Sequence, residues 1–409
     1  MMPASVQDDA AAIAGDLVEL RRQLHREPEV GLVLPRTQQK VLAALGGLPL
    51  EVSRGRALSS VTAVLRGDPC GPAVLLRGDM DALPVAERTG LDYASAVPGV
   101  MHACGHDLHT AMLVGAARIL AARQAELPGN VIFMFQPGEE GRHGARHMIS
   151  EGVLDAAGGR PAAAYALHVA SAQYGPGVFA TRPGPMMAAA DILEVTVRGD
   201  GGHASVPHLC ADPIPAACAM VTALQTMVTR TFDVFDPVVI TVGSFHAGTT
   251  DNVIPDEARF LATVRSFSTE ARDRVRAASL RLVANLAAAH GLQADAEYHD
   301  GYPVTMNDTA EAEFAGQAVT DLFGTSRLAA QAHPLAGAED FSYVLGEVPG
   351  VFLMLGACPP GADPASAPFN HAADAVFDDS VLPDGAALLA ELALRRLAAP
   401  TQPDHPDHT

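Results

Sequence analysis

The stretch PAVLLRGDMDALP, Pro72–Pro84, begins as an unbroken apolar run and breaks into acids at Asp79 and Asp81. Apolar residues without alternation over Ala73–Leu76 predict a strand covered on both faces, as in a parallel sheet. Two further runs share this form. NVIFMFQPGEEG, Asn130–Gly141, predicts a strand ending in a Pro-Gly turn that carries Glu139 and Glu140. AAAYALHVA, from Ala162, predicts another that ends at His168. Between the first two, HDLHTAMLVGAARILAARQAEL has helical apolar spacing from His106 to about Leu127. This alternation predicts an α/β fold, with a mostly parallel central sheet and helices on both faces. Sites in such sheets form at the carboxyl ends of strands, where these polar residues all fall.

The pattern changes near Ala190. DILEVTVRG alternates as a half-buried strand, and DPIPAACAMVTALQTMVTR follows as a helix. PVVITVGSF and EARFLATVRSF are the next strands, joined through HAGTTDNVIPD. The helix STEARDRVRAASLRLVANLAAAHG and the strand QADAEYH complete a β-α-β-β-α-β order, the ferredoxin-like unit. Afterwards α/β character returns, with helices near Asn307–Phe323 and Glu339–Leu345, the strand VFLMLG and a closing helix from Asp384. The division expected is a first α/β segment over 1–189, an inserted ferredoxin-like domain over 190–300, a second α/β segment over 301–400, and a disordered tail over 401–409.

Composition removes several classes of function. A chain of 409 residues exceeds the size at which one core keeps growing, which suits two domains. A net charge of −20 argues against a nucleic-acid or anionic-membrane partner. No signal-peptide pattern opens the chain and no apolar run reaches membrane length. The five cysteines, at 70, 104, 210, 218 and 358, are odd in number and form no C-x-x-C pair, as expected of reduced thiols in a cytoplasm. Lys40 is the only lysine, so a Walker lysine is absent, and neither G-x-S-x-G nor G-x-G-x-x-G occurs.

GVMHACGHDLHT, Gly99–Thr110, concentrates the candidate chemistry. Cys104 precedes a helix, whose N-terminus lowers a thiol's pKa, so a nucleophilic cysteine is one reading. A metal centre is the reading that uses more residues. Cys104 and His106 supply thiolate and imidazole, while Glu140, His168 and His371 stand where strands or loops end beside the sheet. Five ligands exceed what one tetrahedral ion with an open position needs, and suggest two ions sharing a bridging ligand. His102 and His109 are alternative ligands, set lower because the first precedes the helix and the second points down it. Taken singly, each of these residues also has a plain structural reading, as a core histidine or a solvated turn.

The blocks LHREPEVG, LLRGDMDALPV, MHACGHDLHTAMLVGAA, FMFQPGEEG, ALHV, GGHASVPH, DNVIPD, TVRSF, AGAEDFSY and NHAADAVFD occur in this order. Through them the chain resembles the di-metal amidohydrolases of the aminoacylase and glutamate carboxypeptidase family, nearest its hippurate hydrolase and indole-acetyl-amino-acid hydrolase branch. The resemblance implies that Cys104 bridges two ions, a position filled by aspartate in other branches. His106 and His168 then complete one ion's protein ligands, and Glu140 and His371 the other's. Glu139 matches the general base, and Asp81 an acid that orients a ligand imidazole. His203, in the inserted lid and dimerisation domain, matches a residue that reaches the scissile carbonyl, often across a homodimer. Asn252 and Arg265 resemble lid residues that contact substrate. One departure is that DNVIPD follows HAGTT, where relatives usually carry a second glycine.

The activity implied is hydrolysis of N-acyl-amino acids, hippurate-like or N-acetyl, to a carboxylate and a free amino acid. The cofactor implied is a pair of divalent ions, zinc first, with manganese, cobalt or nickel as alternatives. A dipeptidase, carboxypeptidase or N-acetyl-diaminopimelate deacetylase on the same scaffold is the alternative within enzymes. A binding protein that kept the fold and a cysteine hydrolase are the others.

Overall fold

The structure is a computed structural model that describes residues 5–399; the tail expected over 401–409 lies outside the described residues. In chain order the helices are α1 (Val6–Ala12), α2 (Ala14–Arg26), α3 (Pro35–Ala44), α4 (His106–Ala122), α5 (Gly144–Ser150), α6 (Pro213–Thr231), α7 (Thr269–Ala289), α8 (Thr309–Phe323), α9 (Ser342–Leu345) and α10 (Leu382–Ala398). The strands are β1 (Leu50–Arg54), β2 (Val61–Leu65), β3 (Ala73–Asp79), β4 (Asn130–Gln136), β5 (Ala163–Ala170), β6 (Phe179–Thr181), β7 (Gly184–Met187) and β8 (Ala189–Arg198). They continue as β9 (Gly202–His203), β10 (Val238–Ala247), β11 (Val253–Ile254), β12 (Glu257–Ser266), β13 (Gln293–Tyr302), β14 (Thr305–Asn307), β15 (Leu328–Ala330) and β16 (Gly350–Gly356).

Every residue of β3, β4 and β16 is buried, the signature of strands covered on both faces. They lie in an eight-stranded sheet of order β1-β2-β4-β3-β5-β16-β6-β15. β4, β3, β5 and β16 run parallel, while β2 on β4 and β6 on β16 turn antiparallel. The apolar stretch that opens at Ala73 therefore extends past Leu76 to Asp79. Arg77 and Asp79 stay inside because they pair with each other, Nη1 to Oδ2 at 2.6 Å. β5 likewise runs two residues beyond His168. The helix from His106 stops at Ala122 and tightens into a 3₁₀ turn, and the helix expected over Glu339–Leu345 is the single turn α9.

The chain divides into two units. One comprises residues up to Gly184, Met306–Ala332 and from Tyr343 onward, and holds the eight-stranded sheet; the other is Pro185–Thr305 with His333–Ser342. The second unit thus starts earlier than 190, ends later than 300 and takes in a short downstream segment.

In the second unit the order is β10-β12-β8-β13, all antiparallel, the arrangement of a ferredoxin-like sheet. Side chains alternate along β8 and β12, so Leu193, Val195, Phe260 and Val264 enter the core with Met220 and Leu224 of α6 and Val275 and Val283 of α7. Ile192, Val239 and Leu261 point to the uncovered face and remain exposed. Truncating the fully buried Phe260 to alanine costs about 3–5 kcal/mol. Asp212 and Ser268 cap α6 and α7 by accepting from Ile214 and Ala271 N–H, which sets where both helices begin.

Candidate metal centre

Four segments of the first unit end at one place. The Cys104–Gly105–His106 turn opens α4, Glu139 and Glu140 follow β4, His168 lies near the end of β5, and His371 lies in the loop before α10. Gly105 is required here, because its φ is +83° and a Cβ would stand 2.3 Å from Val169 Cγ2. His371 also has positive φ, +74°, and its N–H donates to the Ala103 carbonyl at 2.7 Å. A strained histidine held by a hydrogen bond to the Cys104 turn is a built feature.

Cys104 Sγ stands 3.4 Å from His168 Nε2 and 3.3 Å from His371 Nε2, and His371 Nε2 stands 3.1 Å from Glu140 Oε1. Two triads result, Cys104–His106–His168 and Cys104–Glu140–His371, each with ligand atoms within 4.8 Å of one another. Cys104 belongs to both. Glu139 and Glu140 also approach His106 within the same reach.

The donor atoms suit divalent cations. His106 Nδ1 donates to the Asp81 backbone carbonyl at 2.8 Å and His168 Nδ1 to the Val169 carbonyl at 2.9 Å. A carbonyl only accepts, so both rings carry the proton on Nδ1 and present a bare Nε2. His106 Nε2 is buried and has no hydrogen-bond partner among the described residues, an orphan that a cation would satisfy.

Electrostatics agree. Hydrogen bonds with Cys104 and Glu140 lift His371 to about 10. Burial opposes charge on His106, yet Asp79 and Cys104 outweigh it and raise its pKa. The anions around His106 and His371 favour a positive charge there, which a bound cation would supply in place of the second ring proton. Burial, with His109 beside it, pushes His168 well below the usual range, so this ring stays neutral as a ligand must be.

Asp81 meets His106 through both its main chain and its side chain. Its carboxylate accepts the backbone N–H of Glu139 at 2.9 Å and of Glu140 at 3.0 Å, and lies 3.6 Å from His106 Nδ1. The carboxylate therefore holds the Glu139–Glu140 turn while facing the His106 ring, whose Nδ1 proton goes to the Asp81 main chain. A carboxylate accepts two convergent N–H groups more favourably than it shares one ring proton already given to a carbonyl.

His102 and His109 are fully buried, and neither joins a triad containing Cys104. Both nitrogens of His109 are engaged, Nδ1 with Asp79 at 2.6 Å and Nε2 as acceptor from Val169 N–H at 2.8 Å. Burial pushes His102 down to about 3, so it is neutral.

In the second unit, β9 and β11 pair His203 with Val253, and Ala204 N–H donates to the Asn252 carbonyl at 3.1 Å, so His203 and Asn252 are neighbours. The exposed His203 accepts Ser205 N–H on Nδ1 at 3.2 Å, which leaves Nε2 as the donating nitrogen. Arg265, half-buried on β12, bonds Thr263 Oγ1 at 2.6 Å and the Val264 carbonyl at 3.2 Å, and pairs with no carboxylate among the described residues.

The sequence pattern of Peptidase family M20/M25/M40 matches residues 75–395. The chain belongs to this family. It is a metal-dependent hydrolase of amide bonds. The chain is 34% identical over 394 residues to thermostable carboxypeptidase 2 of Saccharolobus solfataricus, covering 95% of this chain and 98% of that protein. It is 37% identical over 341 residues to N-acetylcysteine deacetylase of Bacillus subtilis, covering 83% and 88%. Its fold is similar to that of a dinuclear metal-binding M20 peptidase from Bacillus subtilis, with a TM-score of 0.81, 32% identity, and 95% and 99% of the two chains covered.

Three residues at this M20 centre carry no motif signal of their own. Asp79 holds His109 and Arg77. Asp107, buried beside His106, pairs with the fully buried Arg21 at 2.7 Å and with His25 at 2.8 Å, which fixes the start of α4 against α2. Asn370 contacts Cys104, Val169 and Ser171. The acids appear in the sequence only as a strand end and a helix start, and Asn370 only as the neighbour of His371.

Proposed function

We propose that this chain is a di-metal amidohydrolase that cleaves N-acyl-amino acids, hippurate-like or N-acetyl, to a carboxylate and a free amino acid. The observation that carries this reading is the pair of ligand triads meeting at Cys104. His106 and His168 would hold one divalent ion, Glu140 and His371 the other, and Cys104 both. Thiolate with imidazole suits zinc, with manganese, cobalt or nickel as alternatives. Bound there, such ions lower the pKa of water and polarise the amide carbonyl.

Glu139 is the general base. Its turn is held by Asp81, and its carboxylate lies within ligand reach of His106 and Glu140. It takes a proton from the attacking water and returns it to the departing amine nitrogen, so the amine leaves neutral. His203 supplies a donor to the tetrahedral oxyanion through Nε2, the nitrogen that its Ser205 contact leaves protonated. Arg265 has guanidinium N–H groups not committed to an acid, and pairs with the carboxylate of the amino-acid half; Asn252 helps position the same substrate.

The likeness to a carboxypeptidase favours a second reading, in which the acyl half is itself an amino acid or peptide. We infer a cytoplasmic homodimer assembled through the second unit. All five cysteines are unpaired, no helix among the described residues is long and apolar enough to cross a membrane, and β10 ends its sheet with one edge unpaired. The test is elemental analysis with hippurate, N-acetyl-amino acids and dipeptides assayed side by side, before and after chelation. Two ions per chain with chelator-sensitive cleavage of N-acyl-amino acids is the expected result. Chelator-insensitive activity blocked by thiol alkylation would replace it with a cysteine hydrolase, and dipeptide preference with the second reading.

A further inference from the structure

β3 pairs with β5 only from Val74–Ala163 to Arg77–Ala166, whereas β5 continues to Ala170. Past Ala166 the edge of β5 that faced β3 has lost its ladder, and buried peptide groups there need other partners. The Val169 main chain finds them in side chains. His109 Nε2 accepts its N–H at 2.8 Å, and its carbonyl accepts from Asn370 Nδ2 and from His168 Nδ1, both at 2.9 Å. The same carbonyl that Asn370 holds therefore sets the tautomer of a metal-ligand candidate.

Each clamp residue is itself fixed. His109 Nδ1 donates to Asp79 Oδ1, which leaves Nε2 as the acceptor that Val169 N–H requires. Asn370 commits both its amide nitrogen and its oxygen. Nδ2 donates to the Val169 and Cys104 carbonyls, the latter at 3.2 Å, and comes within 3.9 Å of Cys104 Sγ. Oδ1 accepts from Ser171 N–H at 3.0 Å and lies 3.1 Å from Ser171 Oγ, whose proton goes to the Pro368 carbonyl at 2.8 Å. One amide thus joins the Cys104 turn, the end of β5 and the His371 loop.

We propose that His109 and Asn370 are positioning residues of the metal centre, clamping the main chain on both sides of Val169 Cα so that its carbonyl aims His168 Nε2 at Cys104. This rests on the metal-centre reading above. Without the clamp the carbonyl swings away, His168 loses the acceptor for its Nδ1 proton, and the tautomer with Nε2–H, which cannot ligate, becomes accessible.

The test is titration of metal-free protein with Co²⁺, following the thiolate-to-cobalt charge-transfer absorption and the ligand-field bands, alongside the thermal midpoint of the metal-free form. Asn370→Asp keeps shape and the Ser171 contacts but turns a donor into an acceptor facing two carbonyls. It is expected to weaken Co²⁺ binding about 10- to 100-fold and alter the thiolate band. His109→Gln, which retains an acceptor and a donor, is expected to bind within a few-fold of wild type, while His109→Leu loses as much as Asn370→Asp. Wild-type affinity and spectrum in Asn370→Asp would overturn the proposal. So would equal losses in the two His109 variants that follow their thermal midpoints, since a purely structural role moves both together. Failure of the unaltered protein to take up Co²⁺ would instead remove the metal-centre reading itself.

Discussion

The carboxylate of Asp81 accepts the backbone N–H of Glu139 at 2.9 Å, so the loop after β3 holds the turn after β4. Two parallel neighbours in the sheet thereby bring an acid and its support to the same end. Glu139 needs no ligand role to be kept in place.

Glu139→Gln is expected to retain metal and lose about 10²–10⁴-fold in kcat, the usual worth of general acid–base help. Elemental analysis beside steady-state kinetics checks it. Full metal content with near-normal turnover would remove Glu139 as the base.

Cys104→Ala takes the shared atom from both triads, and is expected to leave fewer than two ions per chain with activity below detection. Cys104→Asp restores an anionic ligand and is expected to recover two ions. Equal metal content in Ala, Asp and unaltered proteins would show that the sulfur bridges nothing.

Arg265→Ala should raise KM for an N-acyl-amino acid by roughly tenfold or more, since a charge-assisted pair is worth about 1.5–3 kcal/mol. The corresponding N-acyl-amino-acid amide, which has no carboxylate, should be affected far less. Matching losses on the two substrates would assign Arg265 to the sheet it sits on.

Glu87 gives a pH dependence of stability away from the metal centre. Burial works against its charge, yet hydrogen bonds from His25, Thr89 and the Ser95 N–H hold its pKa at about 2, below the ordinary 4.5. The folded state prefers the carboxylate, so this contribution is present above pH 4.5 and is lost as pH falls toward 2. Urea unfolding near pH 6 and near pH 3 should show a smaller acid loss in Glu87→Gln than in the unaltered protein. Parallel losses would mean that Glu87 is not held ionised.

Periodicity made the architecture legible where a strand or helix is long and its pattern clean. β3, β4, β16 and the order β8-α6-β10-β12-α7-β13 follow from apolar runs and alternation alone. Boundaries were less visible because they depend on tertiary partners. β3 lengthens because Arg77 and Asp79 neutralise each other, and β5 lengthens because β16 accompanies it to Ala170. At the site, Cys104, His106, Glu140, His168 and His371 were singled out from residue type and position, and the fold brings all five together. What the side chain of Asp81 grips could not be read from sequence, since main-chain N–H groups leave no trace in residue identity. The contacts of His109, read from sequence only as an alternative ligand, and of Asn370 were hidden for a related reason. Their partners are peptide groups, which become available only because one ladder ends four residues short of its neighbour.

The contact between His371 and Cys104 spans 267 residues of chain, and the second unit lies within that interval. A metal ion held by both residues would consequently be a cross-link, closing a loop of that length. Its loss should be felt first as a loosening of the C-terminal segment, from the His371 loop through α10, and only afterwards in the sheet. Such a tie would join the two sequence segments of an interrupted domain across the unit inserted between them.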